Sequence, residues 1–173
     1  MNKPVPPGFS ADGFILDQDA LSDYPYGRYR TDWNGCGWIA AYNLLLACRR
    51  KADPRVICRE MSDALHFGGT FGTAVSIVRG CLRDHGVETD LIVGKSRCLA
   101  ACARTRCGIL RFHDGEYPHY VTFASDRDGL YRFYNSDPAD DSHLHTMEDF
   151  FREHMKRRFA RAILPREGRD RTE

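Results

Sequence analysis

TDWNGCGWIAAYNLLLACRR, residues 31 to 50, is the stretch on which the reading of this chain turns. Cys36 stands between Gly35 and Gly37, and from Trp38 to Ala47 the residues leave almost no polar face. A helix that is apolar all round is buried on all sides. Its leading end presents unpaired N–H groups and the positive end of the helix dipole, and both favour a thiolate over a thiol. The two glycines leave room for a substrate to approach the backbone closely. This is how a chain builds a nucleophilic cysteine. Cys48, Cys58 and Cys81, by contrast, fall on helical faces as small core residues.

Working outward, residues 1 to 30 carry Pro4, Pro6, Pro7, Gly8, Gly13, Pro25 and Gly27 and read as an extended N-terminal arm laid over a domain of residues 31 to 165. After the buried helix, Asp53 is an N-cap with Pro54 at the first helical position, and Val56, Ile57, Met61, Ala64 and Leu65 recur at helical spacing up to Gly68 and Gly69. A further helix spans residues 73 to 85 and stops at Gly86. Past Gly86 the period changes. Residues 87 to 93 and 107 to 113 read as strands about a short helix, and 117 to 125 and 130 to 136 form a hairpin about Asp126, Arg127, Asp128 and Gly129. A helix near 146 to 156 and a strand over 158 to 164 close the domain, and residues 166 to 173 form a charged tail. Helices first and antiparallel strands afterwards make an α+β domain with a cleft between its halves.

The whole chain sets limits on partners. With 173 residues and 42% apolar content, it is sized for one domain with a real core. The 25 Lys and Arg nearly cancel the 24 Asp and Glu, so no field draws it to nucleic acid or an anionic membrane. A peptide or protein substrate is the expected partner. The prolines near the N-terminus replace the apolar run of a signal peptide, and no segment has the length to span a bilayer. Seven cysteines, an odd number, fit reduced thiols in a cytoplasmic protein.

A thiol nucleophile needs an imidazole base held in one tautomer by a third group. Among the histidines, His119 opens a strand whose alternation sets it with Val121 and Phe123, and Pro118 stiffens the approach. The next strand carries Asn135 and Asp137, two residues apart and so on one face. A three-residue loop at 127 to 129 pairs residue 126 with 130 and places His119 opposite Asp137; a loop shifted by one residue places Asn135 there. The turn chemistry favours Asp137, with Asn135 as the alternative.

Three motifs, NGCGWIAAYNLL around Cys36, PHYVTF around His119 and YNSDP after one hairpin, resemble those of the papain-like cysteine peptidases, most closely small bacterial bacteriocin-processing domains. The resemblance covers residues 30 to 165 in layout. It implies a papain-like fold, attack by Cys36 on an amide or ester carbonyl, protonation of the leaving group by His119, and hydrolysis of a thioester, with no metal or organic cofactor. That family carries a glutamine about half a dozen residues before the cysteine, whose amide donates to the oxyanion. Here the region reads Tyr29, Arg30, Thr31, Asp32. The Cys36 backbone N–H supplies one oxyanion donor, and Asn34 is the nearest side-chain amide for a second. Trp33 and Trp38 flank the nucleophile as cleft walls or as ordinary packing.

Other readings of the same residues are a transferase of the transglutaminase or acyltransferase kind, in which an amine resolves the thioester, and a cleft that only binds peptide. A zinc site built from Cys98, Cys102 and Cys107 with His113, or with His143 and His145, lacks the paired C-x₂-C geometry, and no metal is expected.

Overall fold

The computed structural model describes residues 4–114, 117–127, 129–136 and 144–166. Among these the helices are α1 (Thr31–Asn34), α2 (Cys36–Ala47), α3 (Pro54–Asp63), α4 (Val75–Asp84), α5 (Lys95–Cys102) and α6 (Met147–His154). The strands are β1 (Pro25–Tyr26), β2 (Tyr29–Arg30), β3 (Thr89–Val93), β4 (Cys107–Asp114), β5 (Tyr117–Arg127), β6 (Leu130–Tyr134), β7 (His145–Thr146) and β8 (Ala160–Pro165). None of the described helices is long and apolar enough to cross a membrane.

The apolar run after Cys36 does become the central helix. Trp38, Ile39, Ala41, Leu44 and Leu45 have no exposed surface, and α3 and α4 pack along α2. Asp53 caps α3, its Oδ1 accepting from the N–H groups of Arg55 (2.8 Å) and Val56 (3.4 Å). Helix α4 begins at Val75 rather than Thr73 because Thr73 is engaged elsewhere. Its Oγ1 meets the Tyr26 hydroxyl at 2.9 Å, and its carbonyl accepts from the Tyr120 hydroxyl at 2.8 Å.

Strands β3 to β8 pair antiparallel in the order β3-β8-β4-β5-β6-β7. The meander runs only from β4 to β7. The closing strand β8 inserts between β3 and β4, so that Ile163 pairs with both Leu91 and Ile109. Both faces of the sheet are covered. Ile109, Tyr120 and Ile163 pack toward α2, and Leu110, Phe112, Val121, Phe123 and Ala162 pack in a second core with α6, where the rings of Phe133 and Phe150 stack at 3.7 Å. Thr122, between Val121 and Phe123, points the other way and donates to the Ala40 carbonyl at 3.0 Å.

The β5–β6 ladder keeps the expected register from Ser125↔Tyr131 through Thr122↔Tyr134. The turn itself is tighter: a bulge between Ser125 and Arg127 pairs Arg127 with Leu130. Among the described residues the pairing of β6 with β5 ends at Tyr134, and Asn135 takes a positive φ of 61°. Asp137, like Asp128, His143 and residues 167–173, lies outside the described residues.

The N-terminal arm is wound into the domain. Phe9 and Ile15 form a bridge, β1 and β2 form a hairpin, and Ile15, Leu21, Tyr24 and Tyr26 join the α2 core. The fully buried Asn43 of α2 holds the arm from both sides, its Oδ1 accepting from Ile15 N–H (2.9 Å) and its Nδ2 donating to Ile15 C=O (2.8 Å). At the other end Arg166 is tied to β3, its N–H donating to Glu88 C=O and its guanidinium to Asp90.

Candidate active site

Cys36 heads α2, but it does not stand at a bare helix end. The short α1 runs into α2 with Gly35 at the joint, in the α region (φ −81°, ψ −9°). The flanking glycines also serve a different purpose from the one expected. A Cβ on Gly37 would sit 2.5 Å from the Cβ of Thr73, and one on Gly35 would sit 2.4 Å from Cγ2 of Thr31. Both glycines admit neighbouring protein side chains rather than substrate.

Across the cleft, β5 carries His119 at its start, paired with Phe112 of β4 and set edge-on to that ring at 6.4 Å. The Cys36 thiol lines the cleft with His119, and the imidazole and the Tyr120 backbone both favour its ionised form. Burial opposes ionisation of this thiol. The His119 imidazole and its charge, the Tyr120 backbone and the Arg111 guanidinium together outweigh it and hold Cys36 below the usual thiol range. Burial instead pushes Cys58 and Cys98 up to about 11 and Cys81 up to about 12. Cys48 is drawn down by its bond to Cys107, against its own burial.

The second nitrogen of the imidazole is fixed by the chain. His119 Nε2 lies 2.6 Å from the Asn135 backbone oxygen, and a carbonyl can only accept, so Nε2 carries the proton. Nδ1 is then the nitrogen left for the sulfur. Asn135 therefore meets His119 through its main chain. Its side chain faces a residue that the sequence reading passed over. Asn135 Oδ1 accepts from Gln18 N–H at 3.1 Å, Asn135 Nδ2 donates to Gln18 Oε1 at 3.2 Å, and Gln18 Nε2 donates to Asp32 C=O at 3.1 Å.

Gln18 lines the same cleft of about 730 Å³ as Cys36, His119 and Asn34. So a glutamine is present at the nucleophile. The sequence does not point to it, because β1, β2 and α1 lie between it and Cys36 and the residues just before the cysteine include no glutamine. Its position three residues after the buried Ile15 is a signal legible only once Ile15 is known to be anchored. Asn34 sits in the cleft with one amide hydrogen committed to Gly69 C=O at 2.9 Å. The two tryptophans divide: Trp38 is wholly buried and donates to Thr31 Oγ1, whereas Trp33 is 74% exposed and lines the cleft. Phe71 and Tyr117, also largely exposed, complete an aromatic rim.

The cysteines considered for zinc are separated. Cys98 and Cys102 lie in the second core, while Cys107 is 3.9 Å from Cys48 against the α2 core.

No family model matches the sequence, and no curated protein matches it either. Solved structures do. The peptidase domain of Streptococcus ComA, a bifunctional ABC transporter involved in a quorum sensing pathway, superposes with a TM-score of 0.56 at 15% identity, over 78% of this chain and 94% of that one. A double glycine motif protease from an AMS/PCAT transporter, solved with its leader peptide, gives a TM-score of 0.49 at 15% identity, over 76% and 84%. The fold is the papain-like α+β fold expected from the three motifs.

Proposed function

We propose that this chain is a cysteine peptidase or amidase with Cys36 as nucleophile and His119 as general base and acid. The observation that carries the reading is that Cys36 and His119 line one open cleft, with the imidazole fixed by the Asn135 carbonyl and the thiol held acidic against its own burial by His119. In the reaction, the thiolate adds to the substrate carbonyl. His119 Nδ1 gives its proton to the departing amine, leaving a thioester on Cys36, and then takes one from the water that hydrolyses it.

The tetrahedral oxyanion is received by the Cys36 backbone N–H and by the Gln18 side chain, whose Oε1 is taken by Asn135 and whose Nε2 has one hydrogen beyond the one given to Asp32 C=O. This assigns to Gln18 the role first expected of Asn34. Asn135 orients the imidazole through its carbonyl, with Asp137 as the second candidate for that task. The rim of Trp33, Phe71 and Tyr117 offers apolar surface to an extended peptide.

The test is mass spectrometry after brief exposure to a peptidyl vinyl sulfone, together with cleavage of a peptide pool. Cys36 should be labelled far faster than Cys48 or Cys81, His119→Ala should remove the preference, and Cys36→Ala should abolish cleavage. Equal labelling of the cysteines, or cleavage that survives Cys36→Ala, overturns the assignment.

A further inference from the structure

On the flank of the helical half, away from the residues that line the cleft, three side chains of different chemistry converge. Cys81 and His85 are four residues apart on α4 and its C-cap, which puts them on one side of the helix. Glu60 of α3 faces them. His85 Nε2 is 2.7 Å from Glu60 Oε2, and one ligand atom from each of Glu60, Cys81 and His85 lies within 4.8 Å of the others. Among the described residues, no other group of three such ligands comes together.

We propose that Glu60, Cys81 and His85 form a zinc site that clamps α3 to α4, with water in the fourth position. This does not depend on the peptidase reading. Sulfur, imidazole nitrogen and carboxylate oxygen are the donors zinc takes, whereas magnesium and calcium take oxygen alone. Tetrahedral zinc at its usual bond lengths separates its ligand atoms by about 3.3 to 3.8 Å. The cluster is within reach of that geometry: the Glu60–His85 contact, at 2.7 Å, has to open by roughly 0.6 Å, and the thiol already lies within 4.8 Å of both partners.

The Glu60 carboxylate has no Lys or Arg as an ion-pair partner among the described residues, whereas Asp84 is taken up by Arg83 at 3.5 Å. On binding, the Cys81 proton passes to buffer as the S–Zn bond forms, and His85 ligates as the neutral imidazole through Nε2 with its proton on Nδ1. Glu60 is exposed, which leaves an entry path for the ion.

The experiment titrates Co²⁺ into full-length Cys36→Ser protein, which removes the cleft thiol as a competing ligand. One equivalent should bring up a thiolate-to-cobalt charge-transfer band in the near ultraviolet with the visible bands of a tetrahedral site, and Zn²⁺ should bleach both. Adding Cys81→Ser should abolish the charge-transfer band. His85→Gln, at a partly exposed helix end where folding is retained, should weaken Co²⁺ binding by about 10- to 100-fold. Zn²⁺ should raise the thermal midpoint of Cys36→Ser and not that of the Cys36→Ser, Cys81→Ser pair. No charge-transfer band, a band that survives Cys81→Ser, or unchanged affinity in His85→Gln overturns the site.

Discussion

Replacing Asn43 with alanine is the perturbation that most directly links the core of this protein to its cleft. The Asn43 amide holds both polar groups of the Ile15 backbone, at 2.9 and 2.8 Å, and both residues are fully buried. Alanine takes away both partners at once, and water has no ready access. An orphaned buried donor or acceptor costs about 1–3 kcal/mol, so the two together cost about 2–6 kcal/mol. That is a large share of the roughly 5–15 kcal/mol that holds a domain folded. Urea unfolding at 25 °C, followed by fluorescence of the buried Trp38, reads it directly. The midpoint should fall while the slope stays constant.

Asn43→Asp separates the two bonds. It keeps an acceptor for Ile15 N–H and loses the donor to Ile15 C=O, placing a carboxylate against that carbonyl. Its folded-state pKa must then be raised, so the penalty is largest at neutral pH and shrinks as the pH falls and the carboxyl regains a proton it can donate. Because Gln18 follows Ile15 by three residues, both variants should also slow turnover at Cys36. A loss below about 1 kcal/mol in Asn43→Ala would refute the claim that this amide pins the arm.

The remaining predictions concern the nucleophile and its supports. Since the Cys36 thiol is held below its ordinary range, its alkylation by iodoacetamide should persist at pH values where Cys81 is inert, and His119→Ala should move the rate profile of Cys36 to higher pH. Gln18→Ala should lower kcat by about 100- to 1000-fold, the usual loss of one oxyanion donor, while leaving that alkylation rate unchanged; an equal fall in both would make Gln18 structural. Gly37→Ala drives a methyl to 2.5 Å from Thr73 Cβ and should destabilise by about 1–3 kcal/mol in the same urea assay. Asp53→Ala removes the cap of α3 and should cost about 1 kcal/mol with no effect on Cys36 reactivity.

The five helices after α1, most strands and the position of Cys36 at the head of a buried helix were legible in the chain, because each rests on local spacing. Residues 38 to 47 have no polar face, Asp53-Pro54 is a start signal, and β5 alternates. The register of β5 against β6 beyond the turn agrees with the three-residue-loop reading, but the turn itself does not, since Arg127 rather than Asp126 pairs with Leu130. What only the tertiary structure decided depends on contacts between distant residues. The insertion of β8 beside β4 and the packing of Thr73 against Gly37 leave no periodic trace. The same holds for the pairing of Asn135 with Gln18, residues 117 positions apart. Local pattern reports what a segment buries. It carries no information about which remote segment does the burying, and the cleft is made of such pairs.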